Sequence, residues 1–388
     1  MEQRFNSEYY PEARILSPDD GAHYFFGYYD MRATQGTRHL AHRVGFMDRL
    51  PLPEDAAELG YLENGVFTPF ATTNAWNFQQ GAMLQYHPFL EDTVYYNTYE
   101  NNRLCTVTHN YRTGEKKYTD RAAACISPDG NWGLAVNFAR IFAFRAGYGY
   151  AGITDPYAEE NAPQADGIFL TDMASGTSRL LVSYTQLARC CGYTPEEKIL
   201  VNHITFSPAS NRYVALIRNF PVPPVRGWKT SMVIGDLEGN IRVILPKTYI
   251  SHYIWAGNDH LFAHCSAETP DKKSMYRLSA EDGSWKEYDM PLFHRTGETD
   301  LHCNISPDGN YIIGDTYPKD GYRSIESINL QSGACRTLLQ EKTVIPTYPD
   351  VRCDLHNRYV FDGTAISYDT TRNGCRQIAL VDMHALNF

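Results

Sequence analysis

A short turn signal recurs along the chain and constrains its fold more than any other feature. It reads ISPDG at residues 126–130, FSPAS at 206–210, AGNDH at 256–260, ISPDG at 305–309 and VFDG at 360–363. Ser, Asp and Gly satisfy tight turns, so we give these residues a structural role and no chemistry. Each turn is followed by a short apolar segment, such as WGLAVNF or YVALIRNF. The repeat therefore predicts a strand–turn–strand unit.

A second turn in each unit, as in DMASGTSRLL and NLQSGACRTLL, predicts two further strands. Two weaker copies, which begin at HYFFGYYD and MLQYHP, precede the clear ones. Seven copies of about fifty residues fill the 388-residue chain, and units of this size are typical of propellers. We predict an all-β fold: one domain over residues 1–388, a seven-bladed β-propeller of four-stranded antiparallel blades around a central channel. One short helical turn is expected near Ser183 to Cys190.

The charge balance and the cysteine pattern restrict the partners and the compartment. A net charge of −10, with no run of Lys or Arg, argues against generic binding to nucleic acid or to anionic membranes. No apolar stretch is long enough to span a membrane, and the N-terminus does not read as a secretory signal. The nine cysteines include no CxxC pair, which favours reduced thiols. We expect a cytoplasmic protein.

Histidines recur at one position of the repeat, six residues ahead of the Asp of the turn or its equivalent. Residues at one offset from seven blades form a ring, because the innermost strand of every blade lines the channel. Imidazole fills a core poorly unless its nitrogens are satisfied, so four histidines at this register indicate a functional cluster. They are His203, His252, His302 and His356, and the weaker copies hold Tyr29, Met83 with Gln85 two residues on, and Ala123 at this place.

Carboxylates share the channel-facing side of two of these strands. Side chains alternate along a strand, so Asp300 and Asp354, two residues before His302 and His356, point the same way as the histidines. Several neutral imidazoles and a carboxylate suit a divalent transition metal such as Mn, Fe, Ni or Zn. This ligand chemistry does not distinguish among the four metals.

Three segments resemble blades five to seven of the oligogalacturonate lyases, or of a sister family. They are SHYIW at 251–255, LHCNISPDGNYIIGD at 301–315, and RCDLHNRYVFDG at 352–363 followed by SYDTTRNGCRQIALVDM. The resemblance implies a cytoplasmic enzyme of pectin breakdown whose manganese, held by three histidines and a glutamine, binds the uronate carboxylate. It matches His302 and His356 to two ligand histidines and His252 to an active-site histidine.

The chain departs from that family at several positions. Asp354 stands where the family has a histidine, and Val351 and Arg352 lie near the place of the glutamine. Ser231 stands where a basic arginine is expected. With Asp354 added, the expected metal ligands are His302, His356 and Asp354.

Aromatic and amide side chains cluster in two further segments, WNFQQGA at 76–82 and RAGYGYAG at 145–152. Aromatic faces stack on pyranose rings and amides bind hydroxyl groups, so these segments suit a sugar-binding rim. Packing at blade edges explains them equally well. The candidate substrate-binding residues are Trp76, Gln80, Gln85, Arg145, Tyr148 and Tyr150.

On a small uronate-containing oligosaccharide, this site would catalyse β-elimination. A cation must neutralise the carboxylate before the adjacent proton can be removed, and either the metal or Arg352 could do so. His252 or His203 could act as the base, and Tyr29 or water could protonate the leaving group.

Two other functions stay open. A glycoside hydrolase would need two carboxylates around the channel, for which Asp30, Asp300 and Asp354 are candidates. A non-catalytic sugar-binding propeller would need none of the acid–base groups.

Overall fold

The computed structural model describes residues 13–28, 30–221, 227–288, 300–346 and 348–383, which form seven antiparallel sheets. The prediction of a seven-bladed β-propeller is confirmed. The first strand, β1 (Arg14–Ile15), belongs to the last blade. The strands of the first three blades are β2 (His23–Phe25), β3 (Thr34–Gln35), β4 (Arg38–Val44), β5 (Ala57–Glu63) and β6 (Val66–Thr73); β7 (Gln85–Tyr86), β8 (Thr93–Glu100), β9 (Arg103–Asn110) and β10 (Lys116–Tyr118); and β11 (Ala123–Ile126), β12 (Trp132–Ala135), β13 (Gly167–Asp172) and β14 (Ser178–Ser183).

The last four blades follow the same order from the channel outward. Their strands are β15 (Ile199–Phe206), β16 (Arg212–Asn219), β17 (Thr230–Asp236) and β18 (Ile241–Thr248); β19 (Ile250–Trp255), β20 (His260–Cys265), β21 (Ser274–Ser279) and β22 (Trp285–Tyr288); β23 (Leu301–Ile305), β24 (Tyr311–Thr316), β25 (Tyr322–Asn329) and β26 (Cys335–Lys342); and β27 (Arg358–Val360), β28 (Ala365–Thr370) and β29 (Gln377–Asp382).

Strand β1 closes the propeller, because it pairs with β29 and becomes the outermost strand of the seventh blade. A buried carboxylate adds a second connection between the last and first blades. Asp369 on β28 accepts hydrogen bonds from the backbone N–H groups of Phe26 (3.2 Å) and Gly27 (3.0 Å). Arg358 Nη2 donates to the Gly27 carbonyl at 3.2 Å and lies 3.4 Å from Asp369 Oδ1.

Two helices interrupt the strand pattern. The predicted helical turn is α2 (Tyr184–Cys191), which begins with a capping box between Ser183 and Gln186. The other, α1 (Phe138–Phe144), lies in a stretch whose start we predicted as strand, and it begins where Asn137 accepts a hydrogen bond from the Arg140 N–H. Neither of these helices is long and apolar enough to cross a lipid bilayer.

The core lies between neighbouring blades. Blades four and five share a cluster in which Val214 and Leu216 of β16 pack with Leu261 and Ala263 of β20, all fully buried. Because both faces of a middle strand are covered, its sequence reads as a continuous apolar run rather than an alternating one. All nine cysteines are free, consistent with reduced thiols.

Candidate active site

Five aromatic side chains form a closed circuit around the channel axis. Ring centroids lie 5.6 Å apart for Tyr28–His203, 6.2 Å for His203–His252, 4.2 Å for His252–His302, 4.6 Å for His302–His356 and 6.2 Å for His356–Tyr28. We call these five residues the axial cluster. All five are buried. The four histidines singled out by register therefore lie together.

The strands depart from regular geometry where they present the axial cluster. The pairing of β15 with β16 shifts between Val201 and Ile204, around His203, and that of β19 with β20 shifts between Ile250 and Tyr253, around His252. His356 has a φ of 44°, in the left-handed region that costs a non-glycine residue energy. Bulges and strained residues of this kind redirect side chains and are enriched at functional sites.

Tyr28 completes the axial cluster, with its hydroxyl 2.8 Å from Nδ1 of His203. It follows Gly27, whose φ is +95° and whose missing Cβ would lie 3.0 Å from the Gln80 carbonyl carbon and from the Gly81 nitrogen. Only glycine fits there without displacing backbone. Sequence register pointed to the neighbouring Tyr29, which lies outside the described residues, and it did not identify Tyr28.

One carboxylate holds two histidines of the axial cluster. Asp315 Oδ1 lies 2.9 Å from His302 Nδ1, while Oδ2 accepts the backbone N–H groups of Leu355 (2.8 Å) and His356 (3.3 Å). Sequence reasoning missed Asp315. Its signal was an acid within the otherwise apolar segment YIIGDTY.

A second carboxylate holds a third histidine. Asp300 Oδ1 lies 2.8 Å from His252 Nδ1 and 3.2 Å from His264 Nδ1. Its other oxygen accepts from Ser251 Oγ at 2.5 Å and from the Tyr249 hydroxyl at 3.3 Å. The Nδ1 contact leaves Nε2 of His252 as the nitrogen able to exchange a proton with a ligand.

His302, Asp354 and His356, the three predicted metal ligands, can place one ligand atom each within 4.8 Å of one another. Asp354 also contacts two guanidinium groups. Its Oδ1 lies 2.8 Å from Arg323 Nη1 and 3.0 Å from Arg352 Nε, and its Oδ2 lies 2.7 Å from Arg352 Nη2.

The donor set fits a divalent transition metal. Asp354 Oδ2 is buried and has no correctly oriented hydrogen-bond donor among the described residues, and it lies 3.9 Å from His302 Nε2. Because Asp315 engages Nδ1 of His302, Nε2 is the nitrogen left to bind a metal. Two imidazoles and a carboxylate oxygen are typical ligands of such ions.

Burial and neighbouring charges divide the histidines into two classes. Burial lowers the pKa values of His203, His252 and His356, so these rings are neutral near pH 7. Burial also opposes protonation of His302, but Asp315 and Asp354 outweigh it and raise its pKa to about 9.

The three carboxylates remain ionised. Burial acts against the charged forms of Asp300, Asp315 and Asp354, but the adjacent histidines and arginines outweigh it and lower all three pKa values.

Arg218 adds a cation that the sequence analysis missed. It lies at the end of β16 and is buried, and Nη2 donates to the carbonyls of Ile250 (3.3 Å) and Ser251 (3.4 Å). Among the described residues it has no carboxylate within 4.0 Å. The Trp228 ring lies 5.7 Å from its guanidinium and 5.2 Å from Phe144, and Trp228 is 40% exposed.

The loop between β12 and β13 brings two predicted substrate-binding residues to the axial cluster. The Tyr148 ring lies 6.0 Å from His203, and its hydroxyl accepts a hydrogen bond from Arg352 at 3.1 Å. Arg145 lies 4.7 Å above the Tyr148 ring and forms a 2.7 Å ion pair with Asp350. Burial opposes ionisation of Tyr148, but Arg352 and Arg145 outweigh it and lower the pKa of the phenol.

The other four candidate substrate-binding residues lie outside the axial cluster, although one of them borders it. Trp76 is fully buried against Phe25 and Phe78, and its Nε1 donates to the Asp55 carbonyl, so its ring cannot stack on a sugar. Tyr150 is also buried, stacked on Phe138 and hydrogen-bonded to Asn97.

The packing interpretation therefore holds for Trp76 and Tyr150, because aromatic-rich composition alone does not separate rim from core. Gln80 borders a cavity of about 10 Å³ beside Tyr28 and His203. Gln85 lines a different cavity, further along the channel.

Comparisons with known proteins find similarity in structure only. No family model matches the chain, and no curated protein matches it in sequence. A solved oligogalacturonate lyase in complex with manganese matches with a TM-score of 0.66 and 12% identity over 96% of both chains. An oligogalacturonate lyase from Vibrio parahaemolyticus gives 0.62 and 13% over 95% of this chain and 93% of that one.

Peptidases share part of this architecture. A puromycin-hydrolysing peptidase from Mycobacterium tuberculosis matches with a TM-score of 0.54 and 14% identity, over 91% of this chain but 51% of its own. The two lyases are instead covered almost completely. The chain thus has the seven-bladed fold of the oligogalacturonate lyases over nearly its whole described length, as the sequence resemblance predicted.

Proposed function

We propose that this protein is a lyase that cleaves small uronic-acid-containing oligosaccharides by β-elimination. The observation that carries the proposal is the axial cluster, where neutral histidines lie beside cationic groups in a buried site. β-Elimination needs both, because a base must remove the proton next to a carboxylate whose charge has been neutralised. The similarity to solved oligogalacturonate lyases supports the same reaction class.

The substrate carboxylate would bind at the cationic side of the site. Arg218 has no carboxylate partner among the described residues, and His302 is protonated near pH 7. Their charges would stabilise the enolate-like transition state. Alternatively, a divalent metal, manganese by analogy with the similar lyase structure, would be held by His302, His356 and Asp354; it would displace the Nε2 proton of His302 and take the place of that charge in polarising the same carboxylate.

His252 is the proposed base. Its ring is neutral, Nδ1 is held by Asp300, and Nε2 would accept the proton from the sugar C5. Asp300 would stabilise the imidazolium that forms. His203 is less suited to this role: the Tyr28 hydroxyl donates to its Nδ1, so the proton of the neutral ring sits on Nε2 and no free nitrogen is left to accept the sugar proton.

Tyr28 is the proposed acid, in place of the Tyr29 predicted from register. As the C5 electron pair forms the C4–C5 double bond, the C4–O bond breaks, and the departing oxygen takes the Tyr28 proton. His203, at 2.8 Å from this hydroxyl, orients it and assists its reprotonation. Tyr148 and Arg145 would contact the substrate from the β12–β13 loop.

The hydrolase alternative is less well supported. An acid-catalysed hydrolysis needs one carboxyl group that stays protonated near neutral pH. The pKa values of Asp300, Asp315 and Asp354 are all lowered by hydrogen bonds or charges of adjacent histidines and arginines, so none of them meets this requirement. Asp30, the remaining candidate, has a pKa raised to about 7, but it lines the cavity further along the channel.

The test is an ultraviolet assay for the unsaturated product on oligogalacturonates and other uronate oligosaccharides, combined with elemental analysis of the purified protein. Wild type and His302→Ala are compared, with the half-buried His260→Ala on β20 as the matched control. A rising absorbance and bound metal, both lost only in His302→Ala, support a metal-assisted lyase. Reducing sugar without unsaturation indicates a hydrolase, and binding without turnover indicates a non-catalytic propeller.

A further inference from the structure

A second cavity lies in the channel beyond the axial cluster. It has a volume of about 310 Å³, and its lining includes Pro128 and Pro208, in the turns that follow the inner strands β11 and β15. Tyr28 borders both this cavity and the axial cluster. We call it the lower cavity. Its volume falls within the usual range of small-molecule pockets.

The lower cavity holds a carboxylate, Asp30, that forms no ion pair with the described residues. The Asp30 side chain is accessible from the cavity, and no Lys, Arg or His nitrogen of the described residues lies within 4.0 Å of it. Arg32 also borders the cavity; its Nε donates to the Tyr86 carbonyl, and its buried Nη2 has no hydrogen-bond partner among the described residues. Asp30 is exposed to solvent, and the protein around it raises its pKa to about 7. A cation bound beside such a carboxylate favours its ionised form.

Aromatic rings form part of the walls around this carboxylate. Tyr28, Phe206, Tyr253 and Trp255 all line the lower cavity. Ring faces attract organic cations through their quadrupoles, more strongly where water is excluded. A carboxylate with aromatic walls is therefore complementary to an alkylammonium group.

Other ligand classes fit less well. Asp30 belongs to no group of three metal-ligating side chains among the described residues, and burial raises the pKa of the nearby Cys125 thiol, which keeps it protonated. A divalent metal ion would therefore lack ligands. A uronate would be repelled by the Asp30 carboxylate.

We propose that the lower cavity is a binding site for a small organic ammonium ion, paired with Asp30 and enclosed by Tyr253 and Trp255. The site is distinct from the axial cluster, so it does not depend on the proposed lyase activity. Gln85 at the cavity wall supplies an amide to a polar group of the ligand.

Calorimetric titration of the full chain with n-propylammonium chloride tests this proposal, with 1-propanol as the neutral isostere and potassium chloride at matched ionic strength. Asp30→Asn is expected to weaken propylammonium binding at least tenfold. Asp362→Asn, which removes the same charge from the exposed β27–β28 turn, should leave binding unchanged. Asp30→Asn should melt no lower than wild type, because it removes an uncompensated charge.

A second variant keeps the test decisive if Asp30→Asn folds poorly. Gln85→Lys places an ammonium group of the chain itself in the lower cavity, and it should abolish propylammonium binding and raise the melting temperature. The proposal is overturned if wild type does not bind propylammonium, if propanol or potassium binds as tightly, or if Asp30→Asn binds as wild type does.

Discussion

Asp315 Oδ1 lies 2.9 Å from Nδ1 of His302, and this contact fixes which nitrogen of the ring faces the channel. The same carboxylate binds the backbone N–H of His356 in the next blade. Two residues from different blades are therefore oriented by a single side chain that need not touch substrate. Supporting carboxylates of this kind determine how well histidines bind metals and ligands.

Replacing Asp315 should disable the site without removing a ligand. Asp315→Asn keeps the shape but loses the charge that holds the His302 proton, so we expect metal affinity and lyase activity to fall about 10–100-fold. Metal titration and the ultraviolet assay measure these quantities. Asp308→Asn, in the SPDG turn of the same blade, is the control. Unchanged metal affinity in Asp315→Asn would contradict this role.

The assignment of the base predicts a specific kinetic pattern. His252→Ala should lower kcat by about 10²–10⁴-fold with little change in KM, because the ring acts mainly in the transition state. Asp300→Asn should lower the same parameter by a smaller factor. Steady-state kinetics with His260→Ala as control would show this. A change confined to KM would instead make His252 a binding residue.

The roles of Tyr28 and Tyr29 can be distinguished by removing one phenolic oxygen at a time. Tyr28→Phe should lower kcat by about 10²-fold or more, because it removes the proposed proton donor while keeping the ring stack. Tyr29→Phe should retain most activity. Kinetics on both variants decide the matter, and the reverse result would restore the assignment made from sequence register.

Trp228 offers an exposed aromatic face next to Arg218. Trp228→Ala should remove about 1 kcal/mol of ring contact with a bound sugar and raise KM about fivefold, with kcat nearly unchanged. Trp285→Ala is the matched control, since Trp285 is similarly exposed (42%) but lies on the outer strand of blade five. Equal effects of both variants would rule out a specific sugar contact.

The closure of the propeller can be tested through Asp369. Asp369→Asn leaves the buried Arg358 without its carboxylate, and the free energy of unfolding should fall by about 3–5 kcal/mol. Glu58→Gln, which breaks a surface pair with Arg43, should cost less than about 1 kcal/mol. Urea unfolding measures both, and similar losses would mean that Asp369 contributes little to closure.

The sequence was sufficient for the fold and for the four histidines for one physical reason. Each inner strand runs into a tight turn, so a fixed count back from the turn gives the same height in the channel in every clear repeat. The count is less reliable in the first blade, where β2 ends at Phe25 and an irregular segment precedes β3, and there the structure places Tyr28 in the cluster.

Other site residues depend on contacts between strands that no local pattern encodes. Asp315 and Arg218 lie on second strands, and each approaches the channel because of how its blade packs on the next. The prediction that Trp76 and Tyr150 bind substrate was wrong for the opposite reason. Their segments have a sugar-binding composition, but the burial that makes them core residues is a property of the folded chain.

The way in which β1 completes the seventh blade also bears on the order of assembly during synthesis. Asp354 and His356 come just before the strands of that blade, which is complete only after β29 has left the ribosome and paired with β1. A nascent chain that carries every earlier blade would still lack the assembled centre. Catalytic competence would therefore report that both edges of the propeller have joined, and a chain stalled before β29 would remain inactive.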